Sequence, residues 1–174
     1  MLNKLLATSA ICLGITATNL AISTNVYAQR GNTTVPARQV LSAIKNKTQI
    51  PIFIPSRVPF PAPVYFYTGA TTNSYSVSFD YTRDCHSVTA CNIGAIEAEK
   101  GGQLITPLEG VTRTFKNIRL VGGKRGIFHN GCGAYCTATV EWQNQGVLYR
   151  VSVKNGREAE TTQIANSAIQ AGRR

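Results

Sequence analysis

Two runs of alternating apolar and polar residues, separated by one short turn, constrain the fold of this chain more than any other feature. The apolar positions are Ala138, Val140 and Trp142 in the first run and Val147, Tyr149, Val151 and Val153 in the second. A turn centred on Gln145-Gly146 places Trp142 opposite Tyr149. A slip of one residue would move every apolar side chain to the wrong face of the sheet, so the register is well specified. The sequence predicts an antiparallel hairpin with Trp142 and Tyr149 as core anchors.

The same register also predicts which residues lie opposite each other on the other face of this hairpin. Glu141 falls opposite Arg150 on the face away from the apolar residues. Opposite charges directly across an antiparallel ladder are a common surface arrangement. We therefore expect an ordinary, solvent-exposed ion pair, whose loss through Glu141→Ala would cost well under about 1 kcal/mol.

Further strands are predicted along the chain, for a total of about six or seven antiparallel strands. The residues 75–82 alternate clearly, and the 64–68 stretch is expected to pair with them. Another strand is predicted over 93–98, and Gly122-Gly123-Lys124 is expected to turn a hairpin between 118–121 and 125–128. Ile50, Ile52 and Ile54 also alternate, but Pro51 and Pro55 lack backbone donors, so that strand is predicted at an edge.

Helices are predicted at both ends of this strand-rich region. One follows Pro36 over about 37–46, and the other begins near Glu158 and Glu160, acidic residues that the helix dipole favours in a first turn. The predicted fold class is therefore α+β, with a mostly antiparallel sheet and an N-terminal and a C-terminal helix packed on one face.

The first 28 residues have the pattern of a secretory signal peptide. Lys4 precedes an uncharged apolar stretch over 5–22, and Val26-Tyr27-Ala28 offers a cleavage site. A membrane anchor and a lipoprotein attached through Cys12 are the alternatives, which the polar residues within the stretch and Ile11 before the cysteine disfavour. We predict a signal peptide over 1–28, a flexible lead-in over 29–35 and a single globular domain over 36–172. No second long apolar run follows, so we expect a periplasmic or extracellular protein without a transmembrane segment.

Four cysteines remain after residue 28, which is typical of a disulfide framework in an exported chain. Local pairing of Cys85 with Cys91 and of Cys132 with Cys136 is favoured, because each loop has only to turn back on itself. Crossed pairing between the two loops and a four-cysteine zinc site are the alternatives. The five-residue spacing between Cys85 and Cys91 is wider than structural zinc sites usually show, so no metal is predicted.

No recognised catalytic motif occurs in the chain: there is no nucleophile elbow, no phosphate-binding loop and no zinc-protease helix. His86 follows a cysteine that is expected to be oxidised, and His129 is expected to lie in a turn. The sequence therefore predicts no catalytic residue and no cofactor. A secreted hydrolase with an unrecognised active site is the alternative function.

The chain carries 18 basic against 8 acidic residues, a net charge of +10. Five of the basic residues form a cluster with no acid between them: Arg113, Lys116, Arg119, Lys124 and Arg125. Such a patch attracts polyanions electrostatically. Because export disfavours nucleic acid as a partner, we expect an envelope-associated binding module for an anionic glycan or lipid surface. The oligomeric state is not predicted.

Several segments together resemble a family of small exported cyanobacterial proteins that have no established function. They are IPIFIPS over 50–56, the Cys85/Cys91 pair, CGAYC over 132–136, the spacing of Trp142, Gly146 and Tyr149, and IANSAI over 164–169. The resemblance covers roughly residues 40–172. It implies an exported protein, and it offers no catalytic residue that could be carried over to this chain.

Overall fold

The chain, seen in a computed structural model, is described over residues 31–110 and 112–174. The predicted signal peptide and Cys12 lie outside these residues. The elements in chain order are β1 (Thr33–Thr34), α1 (Ala37–Ile44), β2 (Arg57–Val58), β3 (Tyr65–Thr71), β4 (Ser74–Asp80), β5 (Asn92–Lys100), β6 (Thr112–Arg119), a 3-10 turn (Val121–Gly123), β7 (Arg125–Cys132), β8 (Cys136–Asn144), β9 (Val147–Lys154) and α2 (Glu158–Ala171).

Seven of these strands form one antiparallel sheet in the order β3-β4-β5-β9-β8-β7-β6. Strands that are neighbours in the chain are neighbours in the sheet, except for β5 and β6, which have β9, β8 and β7 between them. The strands β3 and β6 lie at the two edges, and β1 and β2 form a separate two-stranded pair. The predicted α+β class, with a mostly antiparallel sheet and two helices, is confirmed.

The β8–β9 hairpin has the predicted register. Trp142 lies opposite Tyr149, and their rings stack with centroids 5.3 Å apart and planes inclined by 15°. Gln145 and Gly146 both have positive φ angles, 53° and 73°. Two such residues match the twist of the flanking strands in a two-residue turn, which is why glycine suits the second position.

The inner face of the sheet carries the core. Its largest fully buried side chains include Trp142, Tyr149 and Phe79. Val40 and Ile44 of α1 and Ile164, Ala165 and Ala168 of α2 belong to the same buried cluster. Helix α1 contacts β3, whereas α2 contacts β8 and β9.

The edge strand predicted for Ile50, Ile52 and Ile54 is wrong. The residues 50–54 are mostly buried but pair with no strand of the sheet. Tyrosine hydroxyls satisfy their backbone instead: Tyr75 Oη accepts from Phe53 N–H and donates to Phe53 C=O, each at 2.9 Å, and Tyr149 Oη donates to Pro51 C=O at 2.8 Å. Burial raises the pKa of both tyrosines well above the usual value. The alternation of apolar residues indicated a buried segment, but the hydrogen-bond partners of its backbone are tyrosine side chains from the inner face of the sheet and not a neighbouring strand.

The flexible lead-in predicted over 29–35 also differs from the structure where residues are described. Thr33–Thr34 pairs with Arg57–Val58, and Val35 is buried. The Thr33 hydroxyl donates to the Phe60 carbonyl at 2.8 Å. This part of the segment is therefore held against the domain.

Candidate functional site

The outer face of the sheet, opposite the core, is mostly polar. One row of residues in register runs across five neighbouring strands: Ser78, Ala95, Ser152, Thr139 and His129. The adjacent row contains Ser76, Glu97, Arg150, Glu141 and Ile127. Polar side chains on a sheet face are ordinary where water covers them. Here two chain segments cover part of that face.

The first covering segment is the loop over 81–91, closed by Cys85 and Cys91. Ser87 N–H donates to Asp80 Oδ2 at 3.0 Å, and the Ser87 hydroxyl lies 2.8 Å from that of Ser78. Asp80 also accepts from the Asn92 side-chain amide at 2.7 Å. These bonds hold the loop on the outer face and leave the buried Asp80 satisfied.

The second covering segment spans 102–110 and crosses above β8. Ile105 N–H donates to Glu141 Oε2 at 2.8 Å, and the Gln143 side-chain amide donates to Gly102 C=O at 2.9 Å. As a result the Glu141 side chain is fully excluded from solvent. The expected surface ion pair is therefore wrong as to exposure, although Glu141 does lie opposite Arg150.

Glu141 is an ionised carboxylate engaged at both oxygens. Its Oε1 accepts from Arg150 Nε at 2.6 Å. Burial by itself raises the pKa of Glu141, but the neighbouring His129, the Ile105 N–H and Arg150 outweigh it and lower the pKa to about 2. A carboxylate held in this state is suited to fixing the 102–110 segment rather than to exchanging protons near neutral pH.

His129 lies inside β7, so the expectation of a turn residue is wrong. Its Nε2 is 3.8 Å from Glu141 Oε1, beyond hydrogen-bond distance, and has no hydrogen-bond partner among the described residues. The other histidine, His86, lies in the 81–91 loop with its ring centroid 4.7 Å from that of Tyr67. The structure thus places the two histidines on separate parts of the outer face.

The five clustered basic residues do not share one surface. Lys116 points to the inner side, where its Nζ pairs with Glu158 of α2 and lies 5.7 Å from the Phe128 ring centroid. Arg113 falls at an irregularity in the β6–β7 register. The predicted patch is therefore divided by the strand geometry.

Three of the five basic residues do meet, at the turn between β6 and β7. Arg119 lies directly opposite Arg125 in the ladder, and both are exposed. Lys124 stands beside them with its Nζ donating to Asn144 Oδ1 at 3.1 Å. None of the three forms a salt bridge within the described residues. We call this group the basic turn.

The four cysteines form the two predicted local pairs, Cys85 with Cys91 and Cys132 with Cys136, at bonding distance. Both pairs lie at the same end of the sheet, opposite to the basic turn. Between residues 31 and 174, leaving aside position 111, no group of three or more His, Cys, Asp or Glu side chains is arranged to hold a metal ion. No helix in this part of the chain is long and apolar enough to cross a membrane.

A polar groove lies between the two disulfide-closed loops. Its lining includes Thr89, Ala95, Glu97, Tyr135, Thr137 and Ser152, and its volume is about 260 Å³. Sequence reasoning missed both this groove and the burial of Glu141. The available signal was the stretch from Gly101 to Gly110, which has no strand pattern and is longer than a tight turn needs.

The chain matches no protein family, no curated protein and no solved structure. The chemistry of the outer face and of the basic turn therefore carries the functional argument.

Proposed function

We propose that this chain is an exported, non-catalytic protein of the cell envelope that binds an anionic polymer through the basic turn. The observation that carries the proposal is the placement of Arg119 directly opposite Arg125. Like charges across a ladder destabilise a hairpin by some tenths of a kcal/mol. An anionic group bound between the two guanidinium groups attracts both of them and offsets their mutual repulsion.

Arginine at this position suits an oxyanion. Two guanidinium groups offer planar donor pairs that match phosphate, sulfate or carboxylate oxygens. The residues of the basic turn, with Asn117 and Ile118, line an open cleft of about 650 Å³. A charged segment of a polymer can therefore approach several donors at once.

The positions of the exposed apolar side chains favour a polymer over a lipid surface as the ligand of the basic turn. The large exposed apolar residues among those described are Tyr81, Val88, Leu108 and Tyr135, and all four lie in loops away from the basic turn. Peripheral membrane sites combine basic residues with apolar side chains that enter the lipid. The basic turn supplies charge alone.

The proposed function requires that the chain is exported and that its helices leave one face of the sheet free. The two disulfides and the signal pattern over 1–28 support export, as does the resemblance to small exported cyanobacterial proteins. We further propose that both helices cover the inner face, which leaves the outer face for ligands. The shared buried cluster of Val40, Ile44 and Ile164 supports this arrangement.

The test is binding of the secreted protein to dextran sulfate, with neutral dextran as the reference, across a salt series. We expect binding at low salt that weakens as the screening length falls from about 30 Å at 0.01 M to about 8 Å at 0.15 M. The double variant Arg119→Ala/Arg125→Ala should bind at least about ten-fold more weakly, a difference of about 1.4 kcal/mol.

The matched control is Lys45→Ala/Lys47→Ala, which removes two exposed charges just after α1. Equal loss in the two double variants would show that net charge alone drives binding and would overturn the proposal. Stronger binding to phosphatidylglycerol vesicles than to dextran sulfate, abolished by the same arginine variant, would replace the polymer by a lipid surface.

A further inference from the structure

The large exposed apolar side chains are concentrated at the disulfide end of the molecule. Tyr81 and Val88 belong to the 81–91 loop, Tyr135 lies between Cys132 and Cys136, and Leu108 lies in the 102–110 segment. Exposed tyrosines combine an apolar ring with a polar tip, and they are enriched where proteins bind ligands. This end of the sheet is therefore the second candidate surface.

The polar groove lies at this end, and small side chains form its floor. Ala95 and Ser152 are neighbours in the β5–β9 ladder, and Thr137 follows one strand further along the sheet. Their small size leaves room above the sheet. Thr89 borders the space from one disulfide-closed loop and Tyr135 from the other.

Lys154 contacts both walls of the groove. Lys154 Nζ donates to Thr89 C=O at 2.6 Å and lies 5.1 Å from the centroid of the Tyr135 ring. Each wall also belongs to a loop closed by its own disulfide. A site whose walls are fixed before binding loses less conformational entropy when a ligand enters.

The polar groups in the groove are available to a ligand. The hydroxyls of Thr89, Thr137 and Ser152 have no hydrogen-bond partner among the described side chains and backbone groups. Glu97 keeps 47% of its side chain exposed, and its contact with Arg150 is long, 3.9 Å. Hydroxyls both donate and accept, whereas a carboxylate only accepts.

The groove differs from the basic turn in its net charge. Glu97 and Lys154 supply one charge of each sign, so the groove has no excess that would attract a polyanion. A neutral ligand rich in hydroxyl groups satisfies the free hydroxyls and the carboxylate. Its less polar ring face can lie against the part of Tyr135 that Lys154 does not cover, since 40% of this residue is exposed. We infer that this groove binds one ring of a neutral saccharide, independently of the proposed polyanion site.

The probes are cellotriose and tri-N-acetylchitotriose, added to the isotopically labelled secreted protein and followed by two-dimensional NMR. We expect shifts of amide signals confined to residues lining the groove, such as Ala95, Thr137 and Ser152. The variant Tyr135→Ala should weaken binding at least about ten-fold, or about 1.4 kcal/mol. Thr137→Val, which keeps the shape and removes the hydroxyl, should weaken it about three-fold or more.

The matched control is Tyr81→Ala, which removes an exposed tyrosine from the same end of the molecule but not from the groove lining. It should bind as the wild type does. The absence of saturable shifts with either sugar at millimolar concentrations would overturn the inference, as would equal weakening by Tyr81→Ala and Tyr135→Ala.

The two binding proposals fail separately. Arg119→Ala/Arg125→Ala should leave saccharide binding unchanged, and Tyr135→Ala should leave binding to dextran sulfate unchanged. Loss of saccharide binding in the arginine variant would contradict the independence of the groove.

Discussion

Glu141 and Arg150 form a hydrogen-bonded ion pair across β8 and β9, with 2.6 Å between Oε1 and Nε, in which only the arginine reaches solvent. The carboxylate is fully buried, while 36% of the Arg150 side chain is exposed. Removing one partner of a buried pair costs far more than removing an exposed pair, because the groups left behind lose their partner without regaining water.

Glu141→Ala should therefore lower the free energy of unfolding by about 3 kcal/mol, since Ile105 N–H and Arg150 both lose a charged acceptor. Urea denaturation measures the change. The control is Glu97→Ala, which removes the exposed and more distant carboxylate partner of Arg150 and should cost well under about 1 kcal/mol. Comparable losses in the two variants would contradict the structural role of the buried pair.

The ionisation of Glu141 should make the stability of the protein depend on pH. The pKa of Glu141 is lowered to about 2 in the folded protein from its usual value of 4.5. Its contribution is therefore fully present above about pH 4.5 and is lost as the pH falls toward about 2, by roughly 3 kcal/mol in all. Urea melts of the wild type and of Glu141→Gln across this range measure the difference between them. That difference should shrink on acidification; a difference independent of pH would show that folding leaves the pKa of Glu141 unchanged.

Trp142→Ala should destabilise the protein by about 3–5 kcal/mol, because it empties the space beneath the stacked Tyr149 ring. Trp142→Phe should cost much less. The indole Nε1 has no hydrogen-bond partner among the described residues, so this smaller change sacrifices packing volume and no hydrogen bond. Thermal and urea melts compare the variants, and similar losses for Ala and Phe would argue against a packing role.

The 50–54 segment should loosen when its tyrosine partner is removed. Tyr75→Phe deletes both hydrogen bonds to the Phe53 backbone, so the Phe53 amide should exchange its hydrogen faster. Tyr149→Phe deletes the bond to Pro51 C=O and leaves the Phe53 amide bonded, so exchange there should change little. Hydrogen exchange followed by NMR distinguishes the two variants, and unchanged protection of Phe53 in Tyr75→Phe would exclude the hydroxyl as its partner.

The cysteine pairing predicts both a mass and a peptide map. Secreted protein should weigh about 4 Da less than its fully reduced form, one hydrogen for each of four thiols. Proteolysis without reduction should link Cys85 to Cys91 and Cys132 to Cys136. A peptide joining the two loops, or stoichiometric zinc in the purified protein, would contradict this pairing.

The sequence by itself determined the β8–β9 hairpin, down to the pairing of Trp142 with Tyr149 and of Glu141 with Arg150. It also favoured the local cysteine pairs over crossed pairing, and the structure has the local pairs. These features depend on residues close together in the chain, where alternation of side chains and the turn at Gln145-Gly146 leave one register that buries every apolar group.

Only the tertiary structure decided which polar residues are buried and which charges meet. Glu141 is buried because Ile105, 36 residues earlier in the chain, brings a covering segment over it. Lys116 is separated from the other basic residues because successive residues of a strand face opposite sides of the sheet. On the inner side it pairs with Glu158 of α2. The alternation of a strand assigns a residue to a face, but what lies over that face depends on contacts between distant segments, which no local pattern encodes.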